Sequence, residues 1–380
     1  MSITEIRMPT TKRKLKLRVD LPIKIKLPKS FTREPLFLLL KGFKLNDPWV
    51  IFFIAFIVGF LDDIVIGAIT GNWRSHGGVL GVFELDNISA LTMSLIVEPG
   101  LWSFFVGFPP ALFELFKTIQ ERGILTTNQK DVQTQVNRLE SMMSSWVFRI
   151  AALLLALGIA YYAMWIVGEY HPTPWFYFGW HYWFRFARIV GTAYITVYAV
   201  SWSLIAIFNL YSILSTSRVI VNPYDGDSAG GLRFIGTFIL KVSRLVLIVV
   251  PFLVAETLYA LRVGHGVVGQ FNVWLEVIVI PSLLAVMIFL PLTACRRAMF
   301  AAKNEFLEPL RKQIEFYIAQ TAPPKRISKS KLDEITALID FQNKLRKDFP
   351  TWPFDMTMSQ QIGLSFVLSL IPVIFSIFRK

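Results

Sequence analysis

Apolar residues in this chain gather into seven runs separated by basic blocks, near 49–70, 95–117, 146–168, 188–214, 236–262, 272–295 and 361–378. The clearest, 146–168 (WVFRIAALLLALGIAYYAMWIVG), has the ~20 residues a helix needs to cross ~30 Å of hydrocarbon. The pattern predicts an all-α fold, a polytopic transmembrane helical bundle of about seven spans. The second run is interrupted by Glu98-Pro99-Gly100 and by Pro109-Pro110, which predicts a broken helix, or a re-entrant piece followed by a shorter crossing.

Two regions do not read as spans. Residues 12–29 (KRKLKLRVDLPIKIKLPK) alternate basic and apolar positions with period two, the pattern of an extended strand or of a segment lying on an anionic leaflet. Residues 296–350 read as helical and continue the sixth span. Phe306, Leu310 and Ile314 recur at helical spacing, and a second helix carries Leu332, Ile335, Leu338, Ile339 and Leu345 on one face. The chain therefore divides into a basic N-terminal segment (1–48), a six-span bundle (49–295), a cytoplasmic helical hairpin (296–360) and a final transmembrane or re-entrant helix (361–380). No internal repeat or low-complexity tract interrupts this division.

Composition agrees with the class. The hydrophobic share is 54%, charged residues make up only 17%, and mean hydropathy is +0.52. The net charge of +13 sits mostly in segments flanking spans, which points to anionic lipid headgroups rather than nucleic acid as the partner. Lysine and arginine crowd residues 1–48, 117–138 and 296–360, so the bias of positive charge predicts a plasma-membrane protein with a cytoplasmic N-terminus. The first 30 residues contain basic positions but no apolar core, unlike a cleavable signal peptide. A single cysteine, Cys295, excludes an intrachain disulfide and a cysteine-rich metal site.

In this orientation Asp62, Asp63, Glu98, Glu256 and Glu276 fall toward the outer side, as do His76, His171, His181 and His265. One reading is an electronegative outer vestibule that concentrates cations, binds a divalent ion or senses pH. The other is solvation at headgroup level, with ion pairs to Arg74, Arg185, Arg188 and Arg262. The aromatic run 175–186 suits an interfacial belt better than a ligand cage. In the last apolar run Gln361, Ser365, Ser369, Pro372 and Ser376 recur every three or four residues and form one polar stripe. Such a stripe either lines a water-filled path or lets helices pack closely, and the two uses merge where several copies surround one axis. Between the fourth and fifth runs, Asn222–Arg233 offers Asp225 and Asp227 as oxygen ligands and Gly230-Gly231 as a close-approach backbone; the same residues also form a turn and helix cap.

Enzyme signatures are incomplete. Asp225-Gly226, Ala229 and Arg233 resemble the metal motif of CDP-alcohol phosphotransferases, but the further aspartates that family requires are absent from 234–255. Asp62-Asp63 resembles the start of a prenyl-binding aspartate motif without its third acid. No phosphate-binding Gly-x-x-x-x-Gly-Lys, His-Glu-x-x-His or Gly-x-Ser-x-Gly occurs, and no cofactor-binding signature is found. Cys295 has no histidine on its predicted side. The expectation is a non-enzymatic homo-oligomeric channel or ligand-gated conduit for small cations, similar in layout, though not in motif, to insect chemoreceptor channels. The alternatives are a secondary transporter with a midplane site and a membrane scaffold or sensor.

Overall fold

The computed structural model describes residues 26–28, 33–70, 91–125, 129–170, 179–217, 219–221, 229–263, 267–320 and 329–349, with isolated positions of 360–367. These residues form an all-helical bundle whose only extended pairing is a single bridge between Leu125 and Val219. The helices are α1 (Pro35–Gly42), α2 (Pro48–Thr70), α3 (Glu98–Glu121), α4 (Gln129–Met143), α5 (Trp146–Tyr170), α6 (Gly179–Thr216), α7 (Arg233–Val263), α8 (Val267–Gln320) and α9 (Lys329–Asp348). Among the described residues five stretches are long and apolar enough to cross a membrane: Met93–Glu121, Trp146–Met164, Tyr182–Thr216, Arg233–Pro251 and Ser282–Ala319. Pro48–Asp62 is a shorter apolar stretch. The polar stripe of the final run lies outside the described residues except for Gln361, which is helical and exposed.

Local chemistry fixes where the first helices start. Glu34 caps α1 by accepting a hydrogen bond from the Phe37 amide at 2.6 Å, with Pro35 in the first turn. Asp47 Oδ1 does the same for α2, accepting from Trp49 N at 2.8 Å ahead of Pro48. Along α2, Ile51, Gly59 and Asp62 face inward while Phe53, Ile57 and Leu61 face outward, so a uniformly apolar sequence still has two distinct sides.

One helix carries the second run through its interruptions. A π-helical segment, Met93–Val97, leads directly into α3, which continues unbroken through Pro109 and Pro110. These prolines remove two intrahelical donors, and close packing on both sides of α3 holds the helix together there. Phe105 stacks on Trp202 of α6 (ring centroids 5.4 Å apart), and Phe108 meets Phe238 of α7 at 6.1 Å. Trp202, Tyr198, Phe148 and Phe105 form the aromatic centre of a core that also takes residues from α1, α4, α7 and α8.

At the far end of α3, Gly123 takes a left-handed conformation (φ 59°) and Ile124 N reaches back to Ile119 O, closing the helix with a Schellman-type turn. This turn meets the α6–α7 connection through Ile220 N to Ile124 O (2.8 Å) and Arg122 Nη1 to Gly231 O (3.1 Å). The amphipathic α4 buries Val132, Val136, Leu139 and Met143 nearby. α8 is one helix of 54 residues, about 81 Å at 1.5 Å per residue, and so extends well beyond a bilayer core. α9 folds back antiparallel against its distal half: Lys303 Nζ donates to Arg346 O, and Tyr317 Oη donates to Glu334 Oε1 at 3.3 Å.

Two glycines set helix spacing. A Cβ on Gly59 would lie 2.6 Å from Ser94 O in the π segment, and one on Gly100 would lie 2.7 Å from Ile248 Cγ2 of α7. A Cβ on Gly158 of α5 meets nothing within 4 Å. Gly59→Ala should therefore cost about 1–3 kcal/mol of stability by overpacking, while Gly158→Ala is neutral or slightly stabilising. Thermal unfolding of the two variants in the same detergent checks this, and equal melting temperatures would contradict the close α2–π contact.

A candidate functional site: a buried charge cluster at the start of α3

Three helices converge where the π segment becomes α3. Asp62 comes from α2, Glu98 from the first turn of α3, and Arg185, Arg188 and Thr192 from α6. Arg188 lies about 14 Å along α6 from Gly179, and Asp62 about 21 Å along α2 from Pro48, so these two charges sit within their helices rather than at the tips. The spacing of Arg185, Arg188 and Thr192 (i, i+3, i+7) puts all three on one face of α6.

The geometry is that of a shared guanidinium. Arg188 Nε donates to Glu98 Oε2 at 2.7 Å and its Nη1 to Asp62 Oδ2 at 2.5 Å. Thr192 Oγ1 donates to the other oxygen of Glu98 at 2.9 Å. Arg185 Nε lies 3.8 Å from Asp62 Oδ2, within ion-pair range but beyond a hydrogen bond. Asp62 and Glu98 are each 8% exposed. Among the described residues two acids and two arginines give the cluster a formal charge of zero, and in apolar surroundings that balance is what makes the burial tolerable.

Other buried polar groups continue along α6. Glu34, 2% exposed, accepts from Tyr194 Oη at 3.1 Å, and Tyr194 packs against Tyr198. Beyond them Trp202 Nε1 and Ser203 Oγ are buried and find no hydrogen-bond partner among the described residues. From Arg188 to Ser203 the polar groups cover about 22 Å of helix, most of the thickness of a bilayer core.

The residues singled out in the sequence divide accordingly. Asp62 and Glu98 come together, joined by Arg185 and Arg188, two of the four arginines that the sequence offered as ion-pair partners for the outer acids. The side chains of Asp63, Glu256, Glu276 and His181 lie outside the described residues, as do Asp225, Asp227, Ser365, Ser369 and Ser376. Gly230 and Gly231 are described: both have positive φ (63° and 87°), forming the turn into α7, and Gly231 O receives Arg122. Among the described residues no three His, Cys, Asp or Glu side chains are grouped to hold a metal ion. Cys295 is fully buried. No family model matches the chain, and no match is found among curated proteins or solved structures.

Removing the shared cation should be far worse than removing it together with the acid it holds. Arg188→Ala leaves Glu98 buried without its cation, with Arg185 still facing Asp62, and is expected to cost about 3–5 kcal/mol. Adding Glu98→Gln to that variant restores the balance between Asp62 and Arg185 and should recover more than half of the loss. Equilibrium unfolding of the single and double variants in bicelles measures both steps; an Arg188→Ala protein as stable as the parent would disprove the shared-guanidinium geometry.

Proposed function

We propose that this chain is a seven-span plasma-membrane protein with a cytoplasmic N-terminus, and that it forms a conduit for small cations in which the Arg188 cluster is a latch. The observation that carries this reading is the buried, charge-balanced cluster joining α2, α3 and α6 at an irregular helix junction. Ionisable groups inside apolar helices are costly, and they mark ion paths or proton relays more often than they serve packing alone. With Arg185 and Arg188 engaged, Asp62 and Glu98 are neutralised and attract no cation. Withdrawal of Arg188 frees Glu98 and leaves Asp62 balanced by Arg185 alone, which adds a negative charge at the depth where a cation path needs it. The polar groups that follow along α6 extend the same line.

In this reading copies of the chain assemble around the final run, where Gln361, Ser365, Ser369 and Ser376 share one face, and the bilayer with its anionic headgroups is the remaining partner. A secondary transporter is the competing reading. It is favoured by one feature, the π segment leading into proline-bearing α3 at the charge cluster, since π-helical irregularities inside helices recur at functional sites. No reaction chemistry is assigned to the chain.

Flux from liposomes containing the purified full-length protein separates these functions. The conduit reading expects passive, cation-selective flux under a potassium diffusion potential, raised by Arg188→Gln and made less selective by Asp62→Asn with Glu98→Gln. Saturable uptake that depends on a second ion gradient would establish the transporter instead. Flux equal to that of empty liposomes would leave a scaffold or sensor.

A further inference from the structure

The antiparallel packing of α9 on α8 leaves a groove of about 690 Å³ between the two helices, within the range of small-molecule sites. Its cationic lining comes from both helices: Lys303 and Arg311 from α8 and Arg346 from α9. Among its described lining residues the one acid, Glu308, is 3.2 Å from Lys312 Nζ, so these residues keep a positive balance. Arg311 shares one nitrogen with Glu315 at 2.9 Å, and Lys303 uses one proton on the Arg346 carbonyl, which leaves further donors on each. Asn304 and Gln342 add neutral donors, while Phe300 and Leu307 supply apolar wall.

Position narrows the ligand class. The apolar part of α8 ends at Arg296-Arg297. Lys303 lies about 9 Å beyond Arg297 and Arg311 about 21 Å beyond, against a headgroup layer about 5–7 Å thick on each side of the hydrocarbon. Phe300, about 4–5 Å beyond Arg297, puts the near end of the groove at the depth of the headgroups, and its cations lie just beyond that layer. We propose that it binds a phosphate-bearing anion, with the phosphate held by Arg346, Arg311 and Lys303 and an apolar portion lying against Phe300 and Leu307. Guanidinium groups match phosphate oxygens in charge and geometry. An anionic phospholipid headgroup and a free phosphate compound both have this chemistry. This site is separate from the Arg188 cluster and does not depend on the conduit reading.

Two arms test it on the full-length protein in nanodiscs. In the first, inorganic pyrophosphate is titrated into protein held in phosphatidylcholine. In the second, native mass spectrometry counts phosphatidylglycerol retained in preference to phosphatidylcholine. Binding is expected in at least one arm, weakened at least about tenfold in Arg311→Gln/Arg346→Gln. Gln342→Glu, which adds a negative charge while removing no cation, should weaken it in the same direction. Arg138→Gln/Lys329→Gln removes the same charge elsewhere and should leave binding unchanged. Binding in the phosphatidylglycerol arm alone assigns the site to a lipid headgroup; binding of pyrophosphate as well extends it to free phosphate compounds. No binding in either arm, or equal loss in the groove pair and the distant pair, overturns the proposal.

Discussion

One arginine between two carboxylates constrains the bundle more than any other interaction. A lone charge among apolar helices is costly, so Arg188, Asp62 and Glu98 are acceptable only together with Arg185, and only while α2, α3 and α6 keep their spacing. That spacing depends on other features. Gly59 lets α2 approach the π segment closely, and Gly100 does the same for α3 against α7. The π segment lies immediately before Glu98, at the turn where the acid meets Arg188. Neutralising any one member of this balanced group leaves an uncompensated charge among apolar helices.

α6 connects this site to the rest of the molecule. Its first turns carry the arginines, its middle carries the aromatic centre built on Tyr198 and Trp202, and its last turns lead to the connection that meets the end of α3. A shift of α3 against α6 at Glu98 is resisted along their contact by the stacked pair Phe105–Trp202. At the opposite end Arg122 and Gly231 tie the end of α3 to the connection leading into α7. α8 extends from the bundle to the basic pair it forms with α9, so one rigid element links the apolar core to a charged groove.

Much of this was legible in the sequence because hydrophobic run length is a local property. The 146–168 run became α5 almost residue for residue, while of the apolar face read near Phe306 and Ile314 only Ile314 is buried and Phe306 stays 43% exposed. Two helices escaped notice for a local reason: α1 is short, and α4 lies in a polar stretch whose buried stripe (Val132, Val136, Leu139, Met143) is readable only at period 3.6. Hydropathy also placed Arg188 at a span boundary because the aromatic and charged turn before it lowers the local average, whereas the helix begins at Gly179. Asp62 and Glu98 could be recognised as costly acids, but not as partners of one arginine. Pairing across about 90 and 126 residues has no signature in a single sequence. The i, i+3, i+7 spacing of Arg185, Arg188 and Thr192 was the available hint.

The central claim is that one guanidinium holds both acids within the bundle, and solid-state NMR on the protein in lipid bilayers tests it most directly. With arginine nitrogen-15 labelled and carboxyl carbon-13 labelled, Arg188 should show strong dipolar couplings to the side-chain carboxyl carbons of both Asp62 and Glu98. Asp62→Asn and Glu98→Gln should each remove one of the two carboxylate signals and leave the other. A coupling to neither acid, or to water alone, would contradict the account.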